Sequence, residues 1–273
     1  MILAITHLTR YLYTAAVTEL QMELRLQPLS EGGQAVRLHR LVVRPETPFG
    51  HYVDGFGNQV HYFNLLAAHD RLEVVSETMV ETGLPAQPEP VDVFPSDLLV
   101  FRPPVVDVAG VRRLARQAGL RDPESPEDVR ESLQRLVGAI ARGFQYNLDV
   151  TTVSTSVDEV LKLRQGVCQD FAHLFIAAAR AMGIPCRYVS GYVYTGSGEP
   201  VVGVSHAWAE ALIPQAGWSS YDPTHPGLSF ENYVRVSVGR DYRDAAPTRG
   251  VYMGSATSEL EVVVEIRPVE SVA

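Results

Sequence analysis

The stretch Gly166-Val167-Cys168-Gln169-Asp170-Phe171-Ala172-His173-Leu174-Phe175-Ile176-Ala177-Ala178-Ala179-Arg180-Ala181-Met182 decides how this chain is read. Phe171, Leu174, Phe175 and Ala178 fall on one helical stripe and Gly183-Ile184-Pro185 supplies a stop, so Cys168 to Met182 reads as a helix that starts just after Gly166. Cys168 then lies in the first turn, where unpaired backbone N–H groups and the positive end of the helix dipole favour a thiolate. The same N–H groups suit the oxyanion formed when that sulfur attacks a carbonyl. A cysteine there can equally be a small buried hydrophobe. The reading therefore turns on whether the chain offers it partners.

A sulfur nucleophile needs a base on a rigid element. His206 meets this requirement, within the strand pattern Val204-Ser205-His206-Ala207-Trp208-Ala209-Glu210. Asp222 ends the next strand, Trp218-Ser219-Ser220-Tyr221-Asp222, and a carboxylate there would orient the imidazole. Strand alternation supplies a check. Asp222 shares the face of His206 only if even positions pair with even ones, as when Leu212 faces Trp218 across a five-residue loop; a four-residue loop would separate them. The other histidines read differently. His173 lies five residues after Cys168, about 140° around the helix, and cannot be its base. His225, between Thr224 and Pro226, is a second candidate in a turn. His7, His39, His51, His61 and His69 show no metal-ligand spacing and read as surface or strand residues. Cys186 reads as core, and Asp170 as a carboxylate stabilising the helix start that can also touch substrate.

Working outward, Ser125-Pro126-Glu127-Asp128 starts a helix that carries Val129, Leu133, Leu136, Val137 and Ile140 to Gly143. Ser156 with Glu159 forms a capping box for a short helix ending near Gly166, and a weaker helix covers Asp107 to Ala118. Strands follow Pro185: 187–194, 204–213, 218–222 and a last amphipathic one over Leu260 to Ile266. Upstream, residues 1–83 alternate apolar and polar residues, as in Leu20, Met22, Leu24 and Leu26, and Asp54-Gly55-Phe56-Gly57-Asn58 marks a hairpin. The fold class is α+β: an N-terminal antiparallel β-sandwich over 1–83, a linker over 84–104, and a catalytic half of helices on an antiparallel sheet over 105–273. The linker carries six prolines. Its apolar residues Val91, Val93, Phe94, Leu98, Leu99, Val100 and Phe101 imply that it lies docked on a surface.

The composition excludes several classes. Of 273 residues 46% are hydrophobic, and no apolar run approaches the ~18 residues of a membrane span. The net charge is −9, with neither sign in runs, so nucleic acid is not an expected partner. Two cysteines in neither redox nor zinc spacing, and no basic-then-apolar leader, point to a cytoplasmic protein with free thiols.

Gly166-Val167-Cys168-Gln169-Asp170-Phe171, Ser205-His206-Ala207-Trp208 and Tyr221-Asp222-Pro223-Thr224 resemble, in that order, the three motifs of the transglutaminase-like superfamily. Phe144-Gln145-Tyr146, residues 155–161 and Gly239-Arg240-Asp241-Tyr242 look like its bacterial branch, whose members carry an N-terminal β region. The resemblance implies a papain-related fold and a Cys168-His206-Asp222 triad that needs no metal or cofactor. It leaves open whether the acyl group passes to water or to an amine. Gln145 and Tyr146 are candidate side-chain oxyanion donors by position. Asp170 and Trp208 are candidate substrate contacts. The expectation is a cysteine peptidase or amidase acting on a protein or peptide; the alternatives are a protein-glutamine transglutaminase or a binding protein with a vestigial triad.

Overall fold

The alternation at the N-terminus becomes a single strand, β1 (Ile2–Leu24), along which Leu3, Ile5, Val17, Leu20, Met22 and Leu24 are buried. A computed structural model describes residues 1–85, 95–119, 125–196 and 198–269. Four further strands fill the N-terminal half: β2 (Gln34–Arg44), β3 (Gly50–Val53), β4 (Gln59–Leu65) and β5 (His69–Thr82). The hairpin expected at Asp54 joins β3 to β4: the Asp54 carboxylate accepts from the amides of Phe56 and Asn58, and Gly57 supplies the positive φ, +83°.

The second half contains α1 (Ala109–Gln117), α2 (Pro126–Gly143), the short β6 (Gln145–Tyr146), α3 (Val157–Leu163), β7 (Gln165–Gly166) and α4 (Cys168–Arg180). It continues with β8 (Cys186–Val193), β9 (Val201–Gly203), β10 (His206–Ile213), β11 (Gly217–Tyr221), β12 (Tyr233–Gly239) and α5 (Tyr242–Ala245), and ends in β13 (Thr248–Met253) and β14 (Ser258–Val269). Ser125 caps α2 through the Asp128 amide, and Ser156 with Glu159 forms the capping box of α3, as their sequences require. Helices α1 to α4 pack on a four-stranded antiparallel sheet ordered β11-β10-β8-β12. The chain is α+β.

Hydrogen bonding carries the N-terminal sheet across the boundary that the sequence suggests at residue 105. Along residues 2–13, β1 lies between β5 and β14; after an irregularity near residues 12–17 it pairs with β4 and β13 instead. With β9 added at the edge of β14, the result is one curled eight-stranded antiparallel sheet built from both ends of the chain. The alternation over Leu260 to Ile266 identifies a strand but cannot name its partner.

The two sheets share a core: Leu3, Ile5, Val80, Val264 and Ile266 meet Tyr192, Tyr194, Val234 and Val236. The exposed edge of β12 is covered from the N-terminal half by two side-chain carboxamides. Gln34 bonds the N–H and C=O of Arg235, and Asn58 does the same for Val238, which satisfies backbone groups that would otherwise invite another strand. Of the linker, Val91, Val93 and Phe94 lie outside the described residues. Leu98 is buried, Phe101 packs on the helical core, and the Val100 carbonyl accepts from Arg180. Val100 itself is exposed. Among the described residues no helix is long and apolar enough to cross a membrane.

Candidate active site

Helix α4 starts at Cys168, and the N–H groups of its first turn have no acceptor inside the helix. One of their neighbours is fixed by Asp170: its Oδ2 accepts from the Val167 amide at 2.8 Å and from Thr151 Oγ1 at 2.7 Å. Burial pushes this carboxyl up, and those two bonds act against the rise. Its Oδ1 is buried with no hydrogen bond among the described residues. Asp170 thus holds the turn carrying Cys168, and it is absent from the cavity lining around the sulfur. Gly166 is dictated by the same contact: a Cβ there would stand 2.7 Å from Asp170 Oδ2 and 2.8 Å from Asp170 Cβ.

The hairpin β10–β11 brings the other two residues of the proposed triad together. Leu212 faces Trp218 across the five intervening residues, the register in which even positions share a face. Gln215 and Gly217 turn the chain with φ of +63° and +76°. His206 Nε2 consequently meets Asp222 Oδ2 at 2.8 Å. Cys168 and His206 line the same cavity, and with Nε2 committed to Asp222 the Nδ1 of the ring is the nitrogen left for the sulfur. His206 and Asp222 are buried, while Cys168 is partly accessible.

Burial alone would push the imidazole of His206 down. Its hydrogen bonds to Asp222 and Cys168, with their charges, outweigh that and hold it up at about 9. Burial likewise acts to raise Asp222, yet the bonds from His206, Tyr233 and the Thr224 amide hold its carboxyl below the usual range. The protonated ring is thus favoured by the buried carboxylate beside it.

Tyr233 was not legible as a site residue. Its hydroxyl donates to Asp222 Oδ2 at 2.7 Å, so one carboxylate oxygen takes two hydrogen bonds while Oδ1 takes the Thr224 amide at 2.8 Å. Tyr233 sits at the start of β12, eleven residues after Asp222, in a stretch with no strand signal strong enough to place it. His7 is the second omission. Read from sequence as a surface or strand residue, it is 1% exposed and lines the cavity around Cys168.

The upstream candidates separate. Strands β6 and β7 pair in parallel with Tyr146 opposite Gly166, which sets the tyrosine in the lining of the cavity that holds Cys168. Burial first, and the sulfur second, push its phenol up to about 12, so it remains a protonated donor. Gln145, one residue earlier on a two-residue strand, is exposed and lines neither cavity at the triad. Trp208 also lies away from the cavity wall. It is 2% exposed and, on the same face of β10 as His206, stacks on that ring at 6.2 Å and lies edge-on to Tyr233 at 5.1 Å, buried with Val189 and Val238.

The other titratable groups fall into place around this centre. His173 is a core residue: burial pushes it down to about 3, and its Nε2 accepts the Tyr242 amide. Cys186 is fully buried and its thiol is pushed up to about 12. The rings of His225 and His206 are 5.0 Å apart. His206, Asp222 and His225 form the one group of three potential metal-ligating side chains among the described residues, with ligand atoms within 4.8 Å of one another. Both Asp222 oxygens there already accept hydrogen bonds from the protein.

Residues 114–223 match the transglutaminase-like superfamily, and residues 3–81 match the bacterial transglutaminase-like N-terminal region. An uncharacterized protein of Mycobacterium leprae is 37% identical over 280 residues, covering 96% of this chain and 97% of that one. A protein-glutamine gamma-glutamyltransferase of Pseudomonas aeruginosa is 33% identical over 106 residues, which is 34% of this chain and 16% of that enzyme. A crystal structure from Cytophaga hutchinsonii, provisionally described as a cysteine protease, superposes with a TM-score of 0.74 over 97% of this chain and 90% of that one, at 22% identity. The chain belongs to the transglutaminase-like superfamily, in the branch that carries the bacterial N-terminal region.

Proposed function

We propose that this protein is a cysteine-dependent amide hydrolase, a peptidase or amidase, with Cys168 as nucleophile, His206 as acid and base, and Asp222 as its orienting carboxylate. The observation that carries this reading is one ring, His206, which lines the cavity of the Cys168 sulfur and is hydrogen bonded to a buried carboxylate that has two further donors. A vestigial site has no reason to retain that arrangement.

In the first half-reaction the Cys168 thiolate, whose proton His206 has taken, attacks the carbonyl carbon, and charge develops on the carbonyl oxygen. The Cys168 N–H and the Tyr146 hydroxyl are positioned to donate to it. The C–N bond then breaks, the amine leaves with a proton from His206, and the acyl group stays on sulfur as a thioester. In the second half-reaction His206 takes a proton from water, the hydroxide adds to the thioester carbonyl, and the C–S bond breaks. The carboxylic acid leaves and the thiolate and imidazolium are restored. An amine in place of water would make the same site a transglutaminase.

Incubation with a peptide library, with and without a primary amine, followed by mass spectrometry distinguishes the two outcomes. New carboxyl termini or deamidated side chains that persist in the presence of amine support the hydrolase. Amine adducts that displace them overturn it in favour of transfer. Cleavage that survives Cys168→Ala overturns the nucleophile.

A further inference from the structure

The face of the N-terminal sheet that turns toward the catalytic half has two parts. Leu3 and Ile5 on β1, with Val264 and Ile266 on β14, are spent on the core between the sheets. The next positions on that face are His7 and Thr9, with Thr9 opposite Val262 and Tyr11 opposite Leu260. His7 and Val262 lie at the edge of that core, His7 bonded to Tyr192, and with Thr9 and Leu260 they continue past it toward Cys168. Together they form one wall of the cavity of about 250 Å³ that contains Cys168.

From this we infer that the N-terminal sheet is part of the substrate site and closes an acyl-side pocket that accepts an uncharged, apolar side chain. The inference deepens the acyl-transfer reading above and rests on it. During that reaction the acyl group remains bonded to sulfur after the amine has left, so its side chain must occupy the cavity that holds Cys168. A second cavity, of about 570 Å³, lies beyond His206 and is lined by Phe144, Pro223 and His225 without the sulfur; it is the space left for the departing amine and the acceptor.

The chemistry of the first cavity sets the class. Leu148, Val153 and Val204 face the N-terminal wall from the catalytic half, and among the described residues no Asp, Glu, Lys or Arg lines it. The one titratable group contributed by the N-terminal wall is His7. Its Nδ1 is paired with Tyr192 Oη at 2.9 Å and its Nε2 with Thr9 Oγ1 at 3.0 Å. Burial pushes it down to about 4, so it offers no countercharge near neutral pH. A charged side chain entering here would lose its water and find, apart from the His206 ring that the reaction itself occupies, only uncharged groups such as Gln169, Ser190 and Ser205, whereas an apolar one would gain burial against Leu148, Val153 and Val204.

Active-site-directed alkylation tests this without a known substrate. Iodoacetamide first establishes that Cys168 reacts. The full-length protein is then treated with the chloromethyl ketones of N-acetyl-leucine, N-acetyl-glutamate and N-acetyl-lysine. Each forms a C–S bond to Cys168 and expels chloride, and the rates are read by mass spectrometry of the Cys168 peptide. The leucine reagent is expected to react at least about tenfold faster than either charged one. In Leu260→Lys, at a position 52% exposed and outside the proposed triad, the glutamate reagent should gain about tenfold on the leucine reagent. Rates within about twofold of one another in the unmodified protein, or a leucine-to-glutamate ratio unmoved by Leu260→Lys, would overturn the pocket while leaving the nucleophile intact. Failure of iodoacetamide to label Cys168 would overturn the underlying reading instead.

Discussion

Replacing Asp222 by Asn tests whether charge in this site does what the geometry implies. His206 stands at about 9 against an ordinary value near 6.5. The difference of about 2.5 pH units corresponds to about 3 kcal/mol in favour of the imidazolium. Burial opposes that form, so the charged partners contribute more than the net figure, and Asp222 is the first of them. An asparagine can still accept a hydrogen bond but carries no charge, and burial then acts with only Cys168 against it. The titration of His206 is expected to fall by about 2 units, from ~90% imidazolium at pH 8 to ~10%. NMR of the histidine Cε1–H signals from pH 5 to 10 follows this directly. Two functional consequences follow. The alkaline limb of turnover, set by loss of the imidazolium as the general acid, should lie near pH 9 in the parent enzyme and move to lower pH in the variant. Alkylation of Cys168 near pH 8 should slow, because the neighbouring cation is mostly lost there. Loss of the equivalent aspartate in serine proteases lowers turnover roughly ten-thousandfold, which sets the upper scale. Tyr233→Phe serves as the control: it removes one donor to Asp222 Oδ2 but keeps the carboxylate, so it should move the titration by less than about one unit. An Asp222→Asn protein whose His206 titrates unchanged, with unchanged alkylation, would refute the argument.

Four further outcomes are expected. Cys168→Ala should lose all turnover and keep its circular dichroism and melting temperature within a few degrees, since alanine suits the first turn of a helix; retained activity would remove the nucleophile. Gly166→Ala should destabilise by about 1–3 kcal/mol, because its Cβ would collide with Asp170 and disturb the cap of α4; an unchanged denaturation midpoint would show that the turn can yield. His7 and His173, pushed down to about 4 and about 3 in the fold, resist a proton that the unfolded chain takes up below about 6.5. The stability they contribute above that pH is therefore lost progressively as pH falls toward 4, and His206 acts with the opposite sign between 6.5 and 9. Denaturant midpoints that do not fall between pH 7 and 5 would contradict this. Finally, calorimetry of the whole chain should give one cooperative transition, and a fragment starting at residue 105 should be poorly soluble, because β14 and the core around Tyr192 and Val234 would lose β1; two separate transitions with a soluble, active fragment would overturn it.

The sequence by itself determined the local elements and the candidate site positions. Ser125 and Ser156 announced helix starts, Gly183 a stop, and Asp54 to Asn58 a hairpin, because capping and turn chemistry depend on residues a few positions apart. Alternation along β10 and β11 reduced the meeting of His206 and Asp222 to a single question of loop length, which the pairing of Leu212 with Trp218 answered. Periodicity says which way a strand faces and nothing about what it faces. Only the tertiary structure could show that β14 returns to β1, that Gln34 and Asn58 cover the edge of β12, and that Tyr233 supports Asp222. His7 illustrates the same limit: in sequence it is an odd position on an alternating strand, and only the packing of the two sheets, 185 residues apart at its bond to Tyr192, buries it beside the candidate nucleophile. Gln145, Tyr146 and Trp208 were open candidates until a two-residue parallel pairing brought Tyr146 to the cavity of Cys168 and left Gln145 in solvent, and packing against Tyr233 buried Trp208 beside the histidine. Contacts of that kind depend on long-range register, and no short window of sequence contains it.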